Sequence, residues 1–352
     1  MAKLYTQQKM PFDKVEVTLL AQSDTADFHE ACIYHHPTRS VFVTSNQLQN
    51  APGVATPATA NKHVKLFRIY DDGRQEAQEQ SVKVEEVTFD GCHSAMLNGG
   101  VNDGDEHILL CAQGSTDPSD LSGIIRLPIP TEASAVPSKA SVVVDSFYGV
   151  PFNSVNDVIV HPEDQSIWFT DPPYGFHQGI RSPPQLPPQV YRFNPHTHSI
   201  RALADGFSRP NGLCFSPDRK TLYVTDTGAI SGASNTGPDF TRPSSIYAFD
   251  IVYPEQKGES HPEPFLVNRR LFAYAAGRFP DGIKCDTDGN VYSGCGDGIQ
   301  IWNPYGVLLA SIPVENGVAN FCFGEGGVIY ACNETRFYRI SLGEVRGDLL
   351  RI

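Results

Sequence analysis

The chain has 352 residues, 27 Lys and Arg against 40 Asp and Glu, and a formal net charge of -13. Nucleic acid is not expected as a partner, because its binding rests on clustered basic residues and none are grouped here. No apolar run is long enough to span a membrane, and the first ten residues lack the apolar stretch of a secretory signal, so a soluble, cytoplasmic protein is expected.

In chain order, residues 15–20 read as a strand of alternating character. A unit then recurs: an oxygen-bearing side chain, a short apolar strand, a turn rich in Asp, Pro or Gly, and a second strand. The first unit covers residues 30–44, opening on Glu30. The second opens on Asn98-Gly99-Gly100 and continues through 107–112. The third covers 156–171, opening on Asn156. The fourth, 209–228, carries Pro210-Asn211-Gly212, and the fifth, 279–294, carries Pro280-Asp281-Gly282. The sixth, 320–331, opens on Asn320. Further strands follow at 189–193, 245–250, 298–302 and 336–340.

Six units of roughly 60 residues, each with room for four strands, predict an all-β fold, a six-bladed β-propeller. Helical periodicity is absent throughout. An open ring would expose two sheet edges, so strand 15–20 is expected to complete the blade that contains 336–340. Residues 1–352 then form one domain.

Seven cysteines, Cys32, Cys111, Cys214, Cys285, Cys295, Cys322 and Cys332, fall on or beside these strands and read as small buried residues with free thiols. Cys92 is the exception. The sequon Asn333-Glu334-Thr335 is expected to be unused. Three longer segments, 47–61, 176–188 and 229–243, occupy one blade position and should project from one face of the ring as a rim over a central pocket.

The innermost strand of every blade lines a propeller's channel, so the residues that open those strands should converge: Glu30, Asn98, Asn156, Asn211, Asp281 and Asn320. Alone, an Asn or Asp before Gly is an ordinary turn former. Together the six offer oxygen donors only, which suits a hard cation and, with amide donors among them, calcium. Glu30, Asn156, Asn211 and Asp281 form the best-matched group.

These motifs, with Phe28-His29-Glu30, Asn153-Ser154-Val155-Asn156-Asp157, Phe169-Thr170-Asp171, Tyr174-Gly175 and Thr225-Asp226-Thr227-Gly228, resemble those of the gluconolactonase, regucalcin (SMP-30) and paraoxonase-like six-bladed propellers. Within that group the chain is most similar to the fungal lactonohydrolases that open aldonate and pantoyl lactones. The resemblance implies one axial calcium ion held by Glu30, Asn156, Asn211 and Asp281, with a second, structural ion left open. The lactonohydrolases are typically secreted and carry a longer N-terminal region, a departure under which their substrate and compartment are not expected to transfer.

The expected reaction is metal-assisted hydrolysis of a small-molecule lactone or ester. Asn98, Tyr174 and His29 are expected to contact the substrate. Asp281 and His93 are the candidates for the base. His29 is a third, although strand alternation should turn it away from Glu30 and into packing. Two alternatives stand beside this reading: another reaction on a larger apolar metabolite, and a non-catalytic interaction propeller. No Gly-x-Ser-x-Gly elbow is present, so a serine nucleophile is not expected.

Overall fold

The computed structural model describes residues 3–4, 12, 14–71, 82–91, 96–120, 122–130, 137–233, 236–254, 263–276 and 278–350. They build six four-stranded antiparallel blades in a ring. From the axis outward, the first blade takes Glu30–His35, Ser40–Thr44, Leu66–Tyr70 and Lys83–Val87, and the second takes Leu97–Asp103, His107–Ala112, Gly123–Pro128 and Ser141–Val144. The third has Val158–Val160, Ile167–Asp171, Gln189–Phe193 and Ile200–Ala204; the fourth has Pro210–Phe215, Thr221–Asp226, Ser245–Val252 and Phe265–Tyr274. The fifth has Ile283–Cys285, Val291–Cys295, Gly298–Trp302 and Leu308–Pro313, with Lys3–Leu4 added at its outer edge.

The sixth blade closes the ring. Its inner three strands, Phe321–Gly324, Val328–Asn333 and Arg336–Ser341, come from the C-terminal end, and its outer strand, Glu16–Gln22, comes from the N-terminal end. The pairing Val17 with Ile340 and Thr18 with Arg339 is the closure expected from residues 15–20. Among the described residues the only α-helix is Tyr174–His177.

Each blade buries both faces, so its strands read as apolar runs rather than as a strict alternation. In Ile167–Asp171, Phe169 packs toward the second blade with Phe152 and Tyr191, while Trp168 packs toward the fourth with Phe215 and Leu222. Six such buried clusters occupy the six junctions between neighbouring blades. All seven described cysteines are buried and unbonded. Two pairs face each other across junctions, Cys32 with Cys322 at 3.5 Å and Cys214 with Cys285 at 3.7 Å between sulfurs. Cys92 lies outside the described residues.

The Asn-Gly and Asp-Gly pairs differ from the turn reading. Asn98, Gly99, Asn211 and Gly212 lie inside inner strands, and none of Gly99, Gly212 and Gly282 has positive φ. The glycines are required by close approach to the next blade. A Cβ on Gly99 would meet Asn156 O at 2.6 Å, one on Gly212 would meet Asp281 O at 2.4 Å, and one on Gly282 would meet Asn320 Oδ1 at 2.3 Å. Each glycine therefore lets one inner strand press its main chain against the residue that opens the next.

Pairing with the second strand is interrupted at the same places. Register shifts fall between Glu30 and Ile33, Leu97 and Gly100, and Pro210 and Leu213. Such bulges free main-chain groups from their own ladder and re-aim side chains. Carbonyls at these positions, and that of Asp281 just ahead of its paired strand, are taken up by the preceding blade: Thr44 Oγ1 donates to Asn98 O at 2.9 Å, Thr170 Oγ1 to Asn211 O at 2.8 Å and Thr225 Oγ1 to Asp281 O at 2.9 Å. Gly99 N donates to Asn156 O and Gly282 N to Ala319 O, each at 2.9 Å. A belt of inter-blade hydrogen bonds thus runs around the inner rim.

Gly212→Ala is expected to destabilise the fold by about 1–3 kcal/mol through overpacking, whereas Gly237→Ala, where an added Cβ would meet no atom within 4 Å, should be close to neutral. Urea denaturation of both variants checks the contrast.

Candidate functional site

At one end of the axis, on the face that carries the connections between second and third strands, lies a cavity of about 290 Å³. Glu30, Asn156, Asn211 and Asp281 reach it from four different blades, and Asn98, Tyr174 and His29 also line it. Asn320 does not. Its Oδ1 accepts from Phe321 N at 2.8 Å, and its Nδ2 donates to Glu30 Oε2 at 2.7 Å, so it orients Glu30. Asn98 likewise turns its Oδ1 back, to Gly99 N at 3.0 Å.

The four remaining positions keep oxygens for the cavity. Asn211 Nδ2 donates to Tyr174 Oη at 3.4 Å and Thr227 Oγ1 at 3.2 Å, which leaves its Oδ1 on the other side of the amide. Asn156 Oδ1 and Asp281 Oδ1 are buried with no hydrogen-bond partner. Buried polar atoms are seldom left so, and an acceptor-only pair of this kind suits a cation. Among the described residues no three His, Cys, Asp or Glu side chains are grouped to hold a metal; a cation here would depend on the amide oxygens of Asn156 and Asn211 beside the carboxylates of Glu30 and Asp281.

The electrostatics favour a positive charge at this point. Burial, opposed by His29 and reinforced by Asp157, pushes the Glu30 carboxyl up to about 7. Burial, with Glu30 as the next cause, also holds the Asp281 carboxyl far above the usual range. Asp157, raised by burial and itself carrying an unpartnered Oδ2, is a third carboxyl within reach of both. Opposite charge beside such groups restores the ionised forms.

His29 faces the same cavity as Glu30, which corrects the expectation that the two side chains point apart. The alternation of an extended strand is broken directly after Glu30, where Ala31 and Cys32 adopt left-handed φ of 62° and 54°, and His29 precedes the strand. Its Nδ1 lies 2.7 Å from Glu334 Oε1, while Glu334 Oε2 accepts from Asn46 Nδ2 at 3.0 Å. Burial is the largest single influence on His29 and works to lower its pKa, but Glu334, Glu30 and Asp281 together outweigh it and the imidazole is raised to about 10. His93 lies outside the described residues.

Several residues of this site escaped the sequence reading. Glu334 stands in the sequon, at a turn residue with φ of 54°, and no repeat position marks it. Asn333 itself is 3% exposed, with its amide nitrogen donating to Glu315 O at 2.8 Å, so it is no acceptor for a glycan in the folded chain. Asn46, Gln113, Gln178 and Thr227 complete the polar wall, and Tyr174, Ile230, Phe279 and Val318 supply apolar surface.

The three rim segments do project from one face; the first two are hydrogen-bonded to each other and the third packs against the second. Gln47 Nε2 donates to Gln178 Oε1 at 2.6 Å, and Lys62 Nζ donates to Gln47 Oε1 at 3.0 Å and Gln178 O at 3.1 Å. Gly232 lies against Gln178; a Cβ there would stand 2.4 Å from its amide nitrogen. Arg181 pins the middle segment by donating to Ser115 O at 2.7 Å, Phe152 O at 2.8 Å and Asn153 O at 2.9 Å. The rim is therefore a built wall rather than a set of independent insertions.

Comparison with known proteins agrees with this architecture. Residues 74–328 match the family model described as the SMP-30/Gluconolactonase/LRE-like region. Lactonohydrolase oryL of Aspergillus oryzae is 34% identical over 214 residues, 55% of this chain and 47% of that protein. A gluconolactonase of Zymomonas mobilis is 33% identical over 198 residues, 54% of this chain and 51% of that protein. The match thus spans about half the length of these curated relatives. A solved Xanthomonas campestris structure described as a gluconolactonase superposes with a TM-score of 0.66 at 24% identity, covering 94% of this chain and 90% of that one, which shows the shared fold. No helix among the described residues is long and apolar enough to cross a membrane. On the family match and the six-bladed ring together, the chain belongs to the SMP-30/gluconolactonase/LRE-like family.

Proposed function

We propose that the chain is a calcium-dependent hydrolase that opens neutral, hydroxylated lactones. The observation that carries this reading is the pair of unpartnered buried oxygens, Asn156 Oδ1 and Asp281 Oδ1, in one cavity with Glu30 and Asn211. Two carboxylates and two amides match a hard, oxygen-preferring ion of flexible geometry, hence calcium over magnesium. The curated relatives, named lactonohydrolase and gluconolactonase, support the reaction class. A calcium ion held by Glu30, Asn156, Asn211 and Asp281 would supply a Lewis acid for the lactone carbonyl.

The remaining chemistry falls to the chain. Asp281, as a ligand, is kept ionised and is a poor base. His29 is better placed, because the Glu334 bond at Nδ1 fixes the tautomer and leaves Nε2 as the second ring nitrogen. Of the carboxylates that raise the imidazole, Glu30 and Asp281 are the ones a bound cation would offset, while Glu334, the largest of them, remains its hydrogen-bond partner. In the reaction His29 accepts a proton from the attacking water and returns it to the ring oxygen as the acyl carbon–oxygen bond breaks, giving a hydroxy acid.

The walls favour a compact polar substrate over the larger apolar metabolite. Amide side chains outnumber aromatic ones, no Lys or Arg is among the described residues that line it, and the rim contacts restrict the space. A non-catalytic role leaves the unpartnered oxygens and the His29–Glu334 pair without a use.

Asp281→Ala and Asn211→Ala should each lose calcium binding, read by isothermal titration, together with about 10²-fold or more in kcat/KM; wild-type turnover in either rules out the ligand set. His29→Asn should lower kcat by about 10²- to 10⁴-fold while calcium still binds, and unchanged kcat removes His29 from the mechanism. Neutral sugar lactones should be opened in preference to the same rings bearing a carboxylate or phosphate, as competition assays would read.

A further inference from the structure

The threonines of the inter-blade belt have a role that goes beyond packing. Thr44, Thr170 and Thr225 are fully buried, and each ends or nearly ends the second strand of its blade. Each donates its hydroxyl across a junction to the main-chain carbonyl of a residue that opens the next inner strand: Asn98, Asn211 and Asp281. Two of those three recipients are the cation ligands of the fourth and fifth blades.

The bonds fall where an inner strand's carbonyl lies outside its own ladder. Asn211 falls within the register shift between Pro210 and Leu213, and Asp281 precedes the paired residues of its strand. Neither carbonyl is engaged by the second strand of its own blade through the regular ladder. Thr170 also accepts from Asp157 N at 3.2 Å, so one hydroxyl joins the main chain beside Asn156 to that of Asn211. The Thr225 hydroxyl lies 2.9 Å from Asp281 O and 3.2 Å from Gly212 O, linking the stretch after Asn211 to Asp281. Thr227 repeats the arrangement one step closer to the cavity: its Oγ1 accepts from the Asn211 amide at 3.2 Å and donates to Pro280 O at 2.6 Å.

We propose that Thr170 and Thr225 are positioning residues for the cation site, each fixing the main chain of the next blade's ligand so that oxygens from three neighbouring blades meet at one point. The inference rests on the metal reading above. Groups that orient ligands from behind in this way change metal affinity by about 10- to 100-fold when removed. Thr44, whose bond is the same but whose recipient Asn98 turns its side-chain oxygen away from the cavity, is the internal control.

The test is calcium titration of purified metal-free chain by calorimetry, with thermal unfolding recorded on the same samples. Thr170→Val and Thr225→Val, which keep shape and remove only the hydroxyl, should weaken calcium binding about tenfold or more. Thr170→Ser and Thr225→Ser should restore it to within about twofold, and Thr44→Val should lower the unfolding temperature without changing affinity. Valine variants that bind calcium like wild type, or a Thr44→Val that weakens binding equally, overturn the positioning role. Should the valine variants not fold, serine variants that lose affinity overturn it as well. A wild-type chain that binds no calcium overturns the metal reading itself, and this inference with it.

Discussion

Contact between neighbouring inner strands is the constraint on which the rest of this molecule depends. A six-bladed ring brings six strand edges to one axis, and their main chains must meet without leaving carbonyls and amides unpaired in the interior. Here glycine removes the side chain at the points of contact, as at Gly212 against Asp281 and Gly282 against Asn320. Threonine and glycine donors then satisfy carbonyls that lie outside their own ladders at the start of the inner strands. The hydrophobic clusters between blades hold the ring together, while this belt ties the main chains of Asn98, Asn211 and Asp281 to the blades before them.

Charge is the second consequence of that geometry. The same contact that brings Glu30 and Asp281 together, with Asp157 close behind, withdraws three carboxyl groups from water. Ionised carboxylates are costly to bury without opposite charge. His29, Asn320 and the amide groups compensate in part; the unpartnered oxygens of Asn156, Asp157 and Asp281 mark what is left over. In the proposed reading a divalent cation would answer both the charge and the unmet acceptors, and would place a Lewis acid beside a histidine that Glu334 holds at Nδ1.

Much of this was legible in the sequence, because a propeller repeats its parts. The order of oxygen-bearing residue, apolar strand, turn and second strand located all six inner strands, and residues 15–20 carried the closure. Other features have no local signal. The Asn-Gly pairs read as turns because glycine's role at a close approach depends on what the next blade presents. His29 reads as a packed residue under regular strand alternation, which Ala31 and Cys32 break with their left-handed φ. Glu334 entered the site from a two-residue link in the last blade, which only ring closure carries to the wall opposite His29. Thr170 and Thr225 stand in Thr-Asp motifs, yet their partners lie one blade further on, about forty to sixty residues away.

Acid release from a neutral sugar lactone, followed at constant pH while calcium is withdrawn by a chelator and then restored, tests the central claim most directly. Turnover should stop on chelation and return with calcium. Turnover that continues in excess chelator, or no turnover on any neutral lactone by a chain that still binds the ion, would contradict it.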